Sequence, residues 1–108
     1  MNKEIEVSVV LPCLNEEETV GICIRKIKDV FRKEEIAGEI IVVDNGSIDS
    51  SREIAEREEA KVVSENHRGY GAAYLCGLKE AKAKFIIMAD ADNTYNFYDI
   101  PKLLKPLR

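Results

Sequence analysis

The sequence contains few residues of the types that mark disulfide scaffolds, zinc sites, collagens or membrane spans. Its 108 residues include 3 cysteines, 3 prolines, 6 glycines and no tryptophan. The cysteines are odd in number and show no C-x-x-C spacing, which excludes a disulfide framework and gives no indication of zinc. The longest apolar runs are far too short to span a membrane. We therefore expect a globular protein of the reducing cytoplasm.

An excess of positive charge is also lacking. The chain has 16 Lys and Arg residues against 20 Asp and Glu residues, for a net charge of -4. A protein that binds the phosphate backbone of DNA or RNA carries a basic stripe, so we expect no nucleic-acid partner. Apolar residues make up 45% of the chain, which is enough for one modest core and predicts a single domain over residues 1–108.

Four apolar segments alternate with segments of helical periodicity, which is typical of β-α-β units around a parallel sheet. The predicted fold class is therefore α/β. The apolar runs that predict strands lie at residues 5–14, 39–43, 61–64 and 85–89. Within the first run, the strand itself is expected to stop at Pro12.

Capping patterns predict where the helices begin. The predicted caps are Asn15 in a capping box with Glu18, Ser50 in a capping box with Glu53, and Asp99, and residues 69–71 are expected to open the third helix. The first helix should bury an apolar stripe between Val20 and Phe31, and Gly38 should stop it. The residues expected to face the core in the last helix are Leu103, Leu104 and Leu107.

Polar clusters follow every predicted strand. They are Asn15 and Glu16 after the first strand, residues 44–47 after the second, His67 and Arg68 after the third, and Asp90, Asp92 and Asn93 after the fourth. The carboxyl ends of parallel strands meet at one edge of the sheet, where such folds bind ligands. A purely structural interpretation stays open for each cluster, because Asn15 as a helix cap and Asp44 as the start of an Asx turn need no ligand.

Asp90 and Asp92 form the most chemically specific pair. Mg²⁺ or Mn²⁺ is held by one or two carboxylates when substrate phosphates and water complete the octahedron. Gly69 and Gly71 could hold a diphosphate on backbone N–H groups, or could permit close packing of a helix on the sheet. They are not the dinucleotide fingerprint, because they follow the third strand and Tyr74 takes the place of the last glycine.

Four motifs, taken together in their order and spacing, resemble family-two glycosyltransferases of the GT-A fold. They are residues 9–17 (VVLPCLNEE), 43–49 (VDNGSID), 68–73 (RGYGAA) and 88–92 (MADAD). The branch that they resemble contains dolichyl-phosphate mannose and polyprenyl-phosphate glucose synthases. The resemblance covers the whole chain. It implies a Rossmann-like nucleotide-binding half with a mostly parallel sheet of about four strands, in the order 3-2-1-4, flanked by helices.

The resemblance also implies roles for individual residues. The residues expected to bind the nucleotide are Pro12, Asn15, Glu16, Asp44, Ser47, Arg68, Gly69, Gly71 and Asp90. The first three would wall the base, and Asp44 would hydrogen-bond its polar edge. Asp90 and Asp92 would be the catalytic pair and the metal ligands, with Asp92 on the Mg²⁺ or Mn²⁺ that bridges the diphosphate. As a Lewis acid, that metal would assist departure of the leaving group.

The sequence departs from the family pattern at Leu14, Asn45 and Ile48, where some relatives carry an aromatic residue, an acid and a threonine. We expect these differences to alter base preference without removing the site. The family's catalytic domain is longer, and its other half supplies the acceptor site. We therefore expect a donor-binding half, for GDP-mannose or a UDP-sugar, that does not turn over alone and that a second chain could complete.

The resemblance names a polyprenyl phosphate as one acceptor. A membrane-bound half that completed the enzyme would place it at the cytoplasmic face of the membrane. A sheet edge left open where further strands would pack also favours self-association into a dimer or aggregate.

The same residues also bear on other functional classes. A noncatalytic nucleotide-sugar-binding or vestigial regulatory module stays open. A receiver domain would need its acceptor aspartate after the third of five strands and a lysine after the fifth, and neither is evident. A nucleotidyltransferase would need a G-x-G-T-R loop where the chain has residues 12–15 (PCLN). His67, the only histidine, is interpreted as a loop residue rather than as a base, because local spacing fixes no acid partner for it.

Overall fold

The computed structural model describes residues 4–108, so residues 1–3 of the predicted domain lie outside the described part. Strands and helices alternate along the chain. The strands are β1 (Val7–Cys13), β2 (Gly38–Asp44), β3 (Lys61–Ser64) and β4 (Phe85–Met88). The helices are α1 (Val20–Lys33), α2 (Ser51–Arg57), α3 (Tyr70–Glu80) and α4 (Ile100–Leu104), with short 3-10 helices at Phe97–Asp99 and Lys105–Leu107.

The four strands form one parallel sheet in the order β3-β2-β1-β4, which confirms the predicted α/β class and strand order. Every residue of β1 is buried, because this strand pairs on both sides and is covered on both faces. Such strands are rich in β-branched residues. The strand continues through Pro12 to Cys13, so the predicted stop at Pro12 is wrong. Proline is tolerated there near the end of the strand, at the edge where the sheet opens.

Helices cover the two faces of the sheet unequally. On one face, α1, α2 and α4 build the larger core, whose buried residues include Val9, Leu11, Ile24, Ile27, Ala55, Phe97 and Leu104. On the other face, α3 alone packs on the sheet, and the buried residues are Val10, Ile41, Val43 and Ala73. Ile86 and Met88 of β4 stay 37% and 40% exposed. Met88 pairs with Val10, so this apolar surface belongs to the α3 face.

Helix α1 buries the predicted apolar stripe. Its buried residues are Val20, Gly21, Cys23, Ile24, Ile27, Val30 and Phe31. The helix ends at Lys33, and Glu35 then adopts a positive φ of 52°. Gly38 is therefore not the stop that was predicted. It begins β2 beneath the ring of Phe31, which a Cβ at this position would overlap.

Two other sequence expectations also change. Leu104 is buried, but Leu103 and Leu107 are 45% and 58% exposed, because α4 is short and gives way to a 3-10 turn. The glycine that permits close packing of α3 on the sheet is Gly77, whose added Cβ would overlap Val10, whereas Gly71 faces open space.

Between residues 4 and 108, no helix is both long and apolar enough to cross a membrane.

Candidate functional site

A cleft of about 400 Å³ opens at the carboxyl ends of the strands. Its lining residues are Pro12, Cys13, Leu14, Glu16, Asn45, Arg68, Gly69, Tyr70, Asp90 and Ala91. A larger concavity of about 620 Å³ lies at the other end of β4, among residues such as Glu6, Lys82 and Arg108. Ligands of open parallel sheets bind at the carboxyl ends, so the smaller cleft is the candidate site.

The structure brings only part of the predicted site to the lining of this cleft. The predicted residues that line it are Pro12, Glu16, Arg68, Gly69 and Asp90. The predicted residues that are not part of the lining are Asn15, Asp44, Ser47, Gly71 and Asp92. The lining residues that sequence reasoning did not assign to the site are Cys13, Leu14, Asn45, Tyr70 and Ala91. Each of these is a chain neighbour of a predicted residue, and Leu14 and Asn45 also stand where the sequence departs from the family pattern.

The first wall of the cleft is the β1–α1 loop, residues 14–19, which is hydrogen-bonded to the β2–α2 loop. The Asn15 N–H donates to Ser47 Oγ (2.9 Å), the Glu16 N–H to Ser51 Oγ at the start of α2 (2.7 Å), and the Glu17 N–H to Asp49 Oδ2 (3.2 Å). In the opposite direction, the Ile48 N–H donates to Asn15 Oδ1 (2.9 Å). The two loops therefore satisfy each other's polar groups, and this arrangement places Glu16 on the cleft.

Asn15 does not cap α1. Its φ is 54°, in the left-handed region that asparagine tolerates, and its side chain accepts a hydrogen bond from the Ile48 N–H. Helix α1 begins instead at Val20, without a side-chain cap. The capping-box prediction with Glu18 is wrong because the Asn15 side chain is engaged by Ile48, and the Asn15 N–H that Glu18 would satisfy is bonded to Ser47.

The second helix shows a related difference. Ser50 stands at the cap position of α2 without a side-chain hydrogen bond to the helix. The carboxylate of Asp49 accepts from the N–H and the hydroxyl of Ser51 instead, at 2.9 and 2.6 Å. These bonds lower the pKa of Asp49, although desolvation opposes them. The same carboxylate also holds the Glu17 N–H of the first wall.

The second wall of the cleft is the β3–α3 loop, residues 65–69. The carboxamide of Asn45 donates to the carbonyl oxygens of Glu65 and His67 at 2.9 and 2.8 Å, and accepts from the Gly69 N–H at 2.9 Å. The guanidinium of Arg68 lies over Gly46, where an added Cβ would stand 3.5 Å from Nη2. This wall brings a positive charge to the cleft.

His67 lies in the second wall but does not line the cleft. Its Nδ1 and its backbone N–H both lie 3.1 Å from Oε1 of Glu65. The backbone hydrogen bond, and then the ring contact, lower the pKa of Glu65. An acid partner therefore exists two residues away, which local spacing did not indicate, but the imidazole is 89% exposed.

The acidic side of the cleft follows β4. Asp90 lines the cleft, and its negative charge raises the pKa of Tyr70, with smaller contributions from desolvation, Asp92 and Glu16. Asp92 accepts at Oδ1 from the Thr94 hydroxyl (2.6 Å) and the Thr94 N–H (3.1 Å). These bonds lower the pKa of Asp92. Asp92 is thus held as a carboxylate in a tight turn, with one oxygen occupied by Thr94.

Helix α1 holds this acidic loop in place. The Thr19 hydroxyl donates to the carbonyl oxygen of Ala91 at 2.6 Å. The ammonium of Lys26 donates to Oδ1 of Asn93 at 2.9 Å, and Asn93 itself has a positive φ of 62°. The loop that carries Asp90 and Asp92 is therefore anchored on both sides of Asp92.

The donor set suits a hard cation that shares its coordination with a ligand. Within the described residues, no group of three or more His, Cys, Asp and Glu side chains gathers at one metal position. Burial raises the pKa of Cys13 to about 11, and a thiol is a soft ligand that Mg²⁺ and Mn²⁺ do not favour. Asp90 and Asp92 offer hard oxygen atoms, which suit Mg²⁺ or Mn²⁺ when phosphate oxygens and water complete the shell.

Comparison with known proteins shows to which family the chain is similar. The sequence profile described as "Glycosyl transferase family 2" matches residues 8–108. The low-salt glycan biosynthesis hexosyltransferase Agl6 of Haloferax volcanii is 42% identical over 101 residues, which are 94% of this chain and 24% of that protein. An uncharacterized glycosyltransferase of Mycobacterium tuberculosis is 39% identical over 94% of this chain and 43% of its own length.

Solved structures show the same similarity. Glucosyl-3-phosphoglycerate synthase from Mycobacterium tuberculosis, in complex with Mn²⁺, UDP and glucosyl-3-phosphoglycerate, has a TM-score of 0.81 and 30% identity, over 94% of this chain and 39% of that one. Mannosyl-3-phosphoglycerate synthase from Rubrobacter xylanophilus has a TM-score of 0.79 and 30% identity, over 85% of this chain and 32% of that one. The chain spans less than half the length of each of these relatives.

Proposed function

Because the chain belongs to glycosyl transferase family 2, whose profile matches residues 8–108, we propose that it binds a nucleoside-diphosphate sugar and a divalent cation as the donor-binding part of a glycosyltransferase. The observation that carries this proposal is the cleft at the carboxyl ends of the strands, which has Asp90 on one side and Arg68 on the other. Opposite charges suit a ligand that is a diphosphate bound to a cation.

Each side of the cleft has its own task in this proposal. Pro12 at the end of β1 and Glu16 on the first wall contact the nucleoside, Asp44 hydrogen-bonds the polar edge of its base, and Arg68 and the Gly69 N–H face the diphosphate. Asp90 and Asp92 hold Mg²⁺ or Mn²⁺. When bound, the cation would neutralise charge on the departing diphosphate as a Lewis acid. Support for a divalent metal comes from relatives of known structure that contain Mn²⁺ with UDP or UDP-glucose.

We take a UDP-sugar as the first donor to test and a phosphorylated molecule as the acceptor class. One structural relative is in complex with UDP-glucose and phosphoglyceric acid, and the motifs resemble enzymes that use polyprenyl phosphates. Both acceptors are phosphates. Glucosyl transfer to 3-phosphoglycerate or to a short polyprenyl phosphate, measured with a second chain that supplies the acceptor half, distinguishes them. Nucleotide binding without transfer to either in that completed enzyme would favour the noncatalytic module.

The test of donor binding is calorimetric titration with UDP, GDP, UDP-glucose and GDP-mannose, with Mn²⁺ or with EDTA. We expect one nucleotide to bind only when Mn²⁺ is present. Asp90→Asn and Asp92→Asn should each weaken nucleotide binding at least about tenfold, because each removes a charged contact to the cation. Asp99→Asn is the matched control, because Asp99 pairs with Lys102 outside the cleft. A folded chain that bound no nucleotide, or bound equally well in EDTA, would contradict the proposal.

We also propose that two copies of the chain associate through the β4 edge. Within residues 4–108, β4 pairs with β1 on one side only, and Ile86 and Met88 are partly exposed beside that edge. Unpaired edges and apolar patches are where chains associate. Light scattering after size-exclusion chromatography should give a dimer mass. Met88→Lys should shift the mass toward the monomer, and a monodisperse native monomer would contradict the proposal.

A further inference from the structure

We propose that Asn45 is a positioning residue whose carboxamide fixes the second wall, residues 65–69, and so holds Arg68 at the cleft. The part that concerns ligand affinity rests on the proposed function. The part that concerns the loop does not, because it can be measured without any ligand.

Asn45 uses both ends of its carboxamide on this loop. It is 6% exposed, its Nδ2 donates to two carbonyl oxygens, and its Oδ1 accepts one N–H. The three partners, Glu65, His67 and Gly69, alternate along the loop, so one side chain fixes its whole length. The backbone N–H of Asn45 donates to the carbonyl oxygen of Cys13 at 2.9 Å, which anchors the side chain to the central strand.

Few side chains can make this set of contacts. Two carbonyl oxygens require two donors on one short side chain, and the Gly69 N–H requires an acceptor beside them. Aspartate has nearly the same shape, but it would place an oxygen where Nδ2 now lies, 2.9 and 2.8 Å from the two carbonyl oxygens. The change Asn45→Asp therefore keeps the bond to Gly69 and turns the other two contacts into repulsion.

Arg68 depends on this anchor for its place. It lies between His67 and Gly69, both of which are bonded to Asn45. Its own side chain is exposed and makes no salt bridge with any of the described residues. Gly69 has a φ of 114°, a conformation that L side chains rarely adopt. The position of the positive charge is thus set by the loop rather than by a partner of the guanidinium.

The first test compares amide hydrogen exchange of the free chain. In Asn45→Asp, a peptide covering residues 65–71 should exchange at least about tenfold faster than in the native chain, because a buried side chain no longer holds it. Peptides from the first wall should be unchanged. Asn96→Asp is the matched control, since it adds the same charge outside the cleft and keeps the acceptor for the Tyr98 N–H. Unchanged exchange at residues 65–71 would overturn the proposal.

The second test measures UDP affinity with Mn²⁺ in Asn45→Asp, Asn45→Leu, Arg68→Ala and each double variant. Each single variant should weaken binding about tenfold, and an Asn45 change should add less than about twofold once Arg68 is absent, because the two act through one contact. Asn45→Leu removes the hydrogen bonds without adding charge. The proposal would be overturned if Asn45→Asp weakened UDP binding but Asn45→Leu did not. It would also be overturned if a change at Asn45 weakened binding equally in the presence and in the absence of Arg68.

The two tests separate this inference from the proposed function. If the native chain bound neither UDP nor GDP with Mn²⁺, the proposed function would fail, and the exchange measurement alone would decide whether Asn45 holds the loop. Thermal unfolding of each variant checks that the chain remains folded.

Discussion

The two walls of the cleft are held in different ways. The first wall is held by four hydrogen bonds that involve four different residues, three in the β2–α2 loop and Ser51 at the start of α2. The second wall receives three hydrogen bonds from one side chain, that of Asn45. The residues after β2 therefore hold both walls in place. They hold the first wall through several side chains and backbone groups, and the second through the single side chain of Asn45. The consequence is that single substitutions should have unequal effects on the two sides.

The largest loss of stability is expected from a substitution in α3, the helix that follows the second wall, at the point where it packs on the sheet. A Cβ at Gly77 would overlap Val10, so Gly77→Ala should lower the free energy of unfolding by about 2 to 3 kcal/mol through overpacking. Gly71→Ala, in the same helix but facing open space, should be neutral or stabilising by up to about 1 kcal/mol. Urea denaturation measures both. Equal stabilities would show that α3 can shift on the sheet without loss.

The next effect compares the two walls directly. Asn45→Ala removes three hydrogen bonds at a buried position and should cost about 2 kcal/mol. Ser47→Ala removes one bond of the first wall, to the Asn15 N–H, and should cost less than about 1 kcal/mol, since this N–H is exposed to water. Chemical denaturation gives both values. Similar losses would contradict the contrast between redundant and single attachment.

The smallest effect is a difference in pH response. Hydrogen bonds lower the pKa of Asp49 from its ordinary 3.8, so its stabilising contribution is present above that value and is lost as the pH falls through the folded pKa. The Glu17 amide, bonded to Asp49, should show this titration in NMR spectra. The Gly69 amide is bonded to a carboxamide and should not follow it. In Asp49→Asn the step at Glu17 should disappear, and a step that survived would have another source.

Much of the fold could be predicted because its signals are local. The apolar runs indicated all four strands, and the spacing from Val20 to Phe31 indicated the buried face of α1. The start of α1 was wrong because Asn15 is bonded to Ile48, a residue far along the chain. Capping patterns describe only what lies a few positions away. The stop at Gly38 was wrong because α1 already ends at Lys33, and the positive φ that follows it falls on Glu35, a residue type that capping rules do not favour there.

The sequence predicts at which edge of the sheet the candidate site lies, but not which side chains line its surface. Parallel strands place their following residues at one edge, so Glu16, Arg68 and Asp90 all reach the cleft. Which member of each cluster lines it depends on side-chain direction, as the turn of Asp92 onto Thr94 shows. Asn45 was noted only as a departure from a family pattern. Two of its three partners are backbone carbonyl groups, which every residue has and which therefore leave no mark in a sequence.

The central position of β1 also sets the order in which the cleft can assemble during synthesis. Val7 pairs with Gly38 on one side and with Phe85 on the other. A chain leaving the ribosome offers β2 to β1 long before it offers β4, and the shorter loop is the easier one to close. The β1–α1 and β2–α2 loops can therefore meet early, whereas the acidic loop can form only after β4 has left the ribosome. Asp90 and Asp92, the residues proposed to hold a cation, therefore join the cleft only after both of its walls have been synthesised.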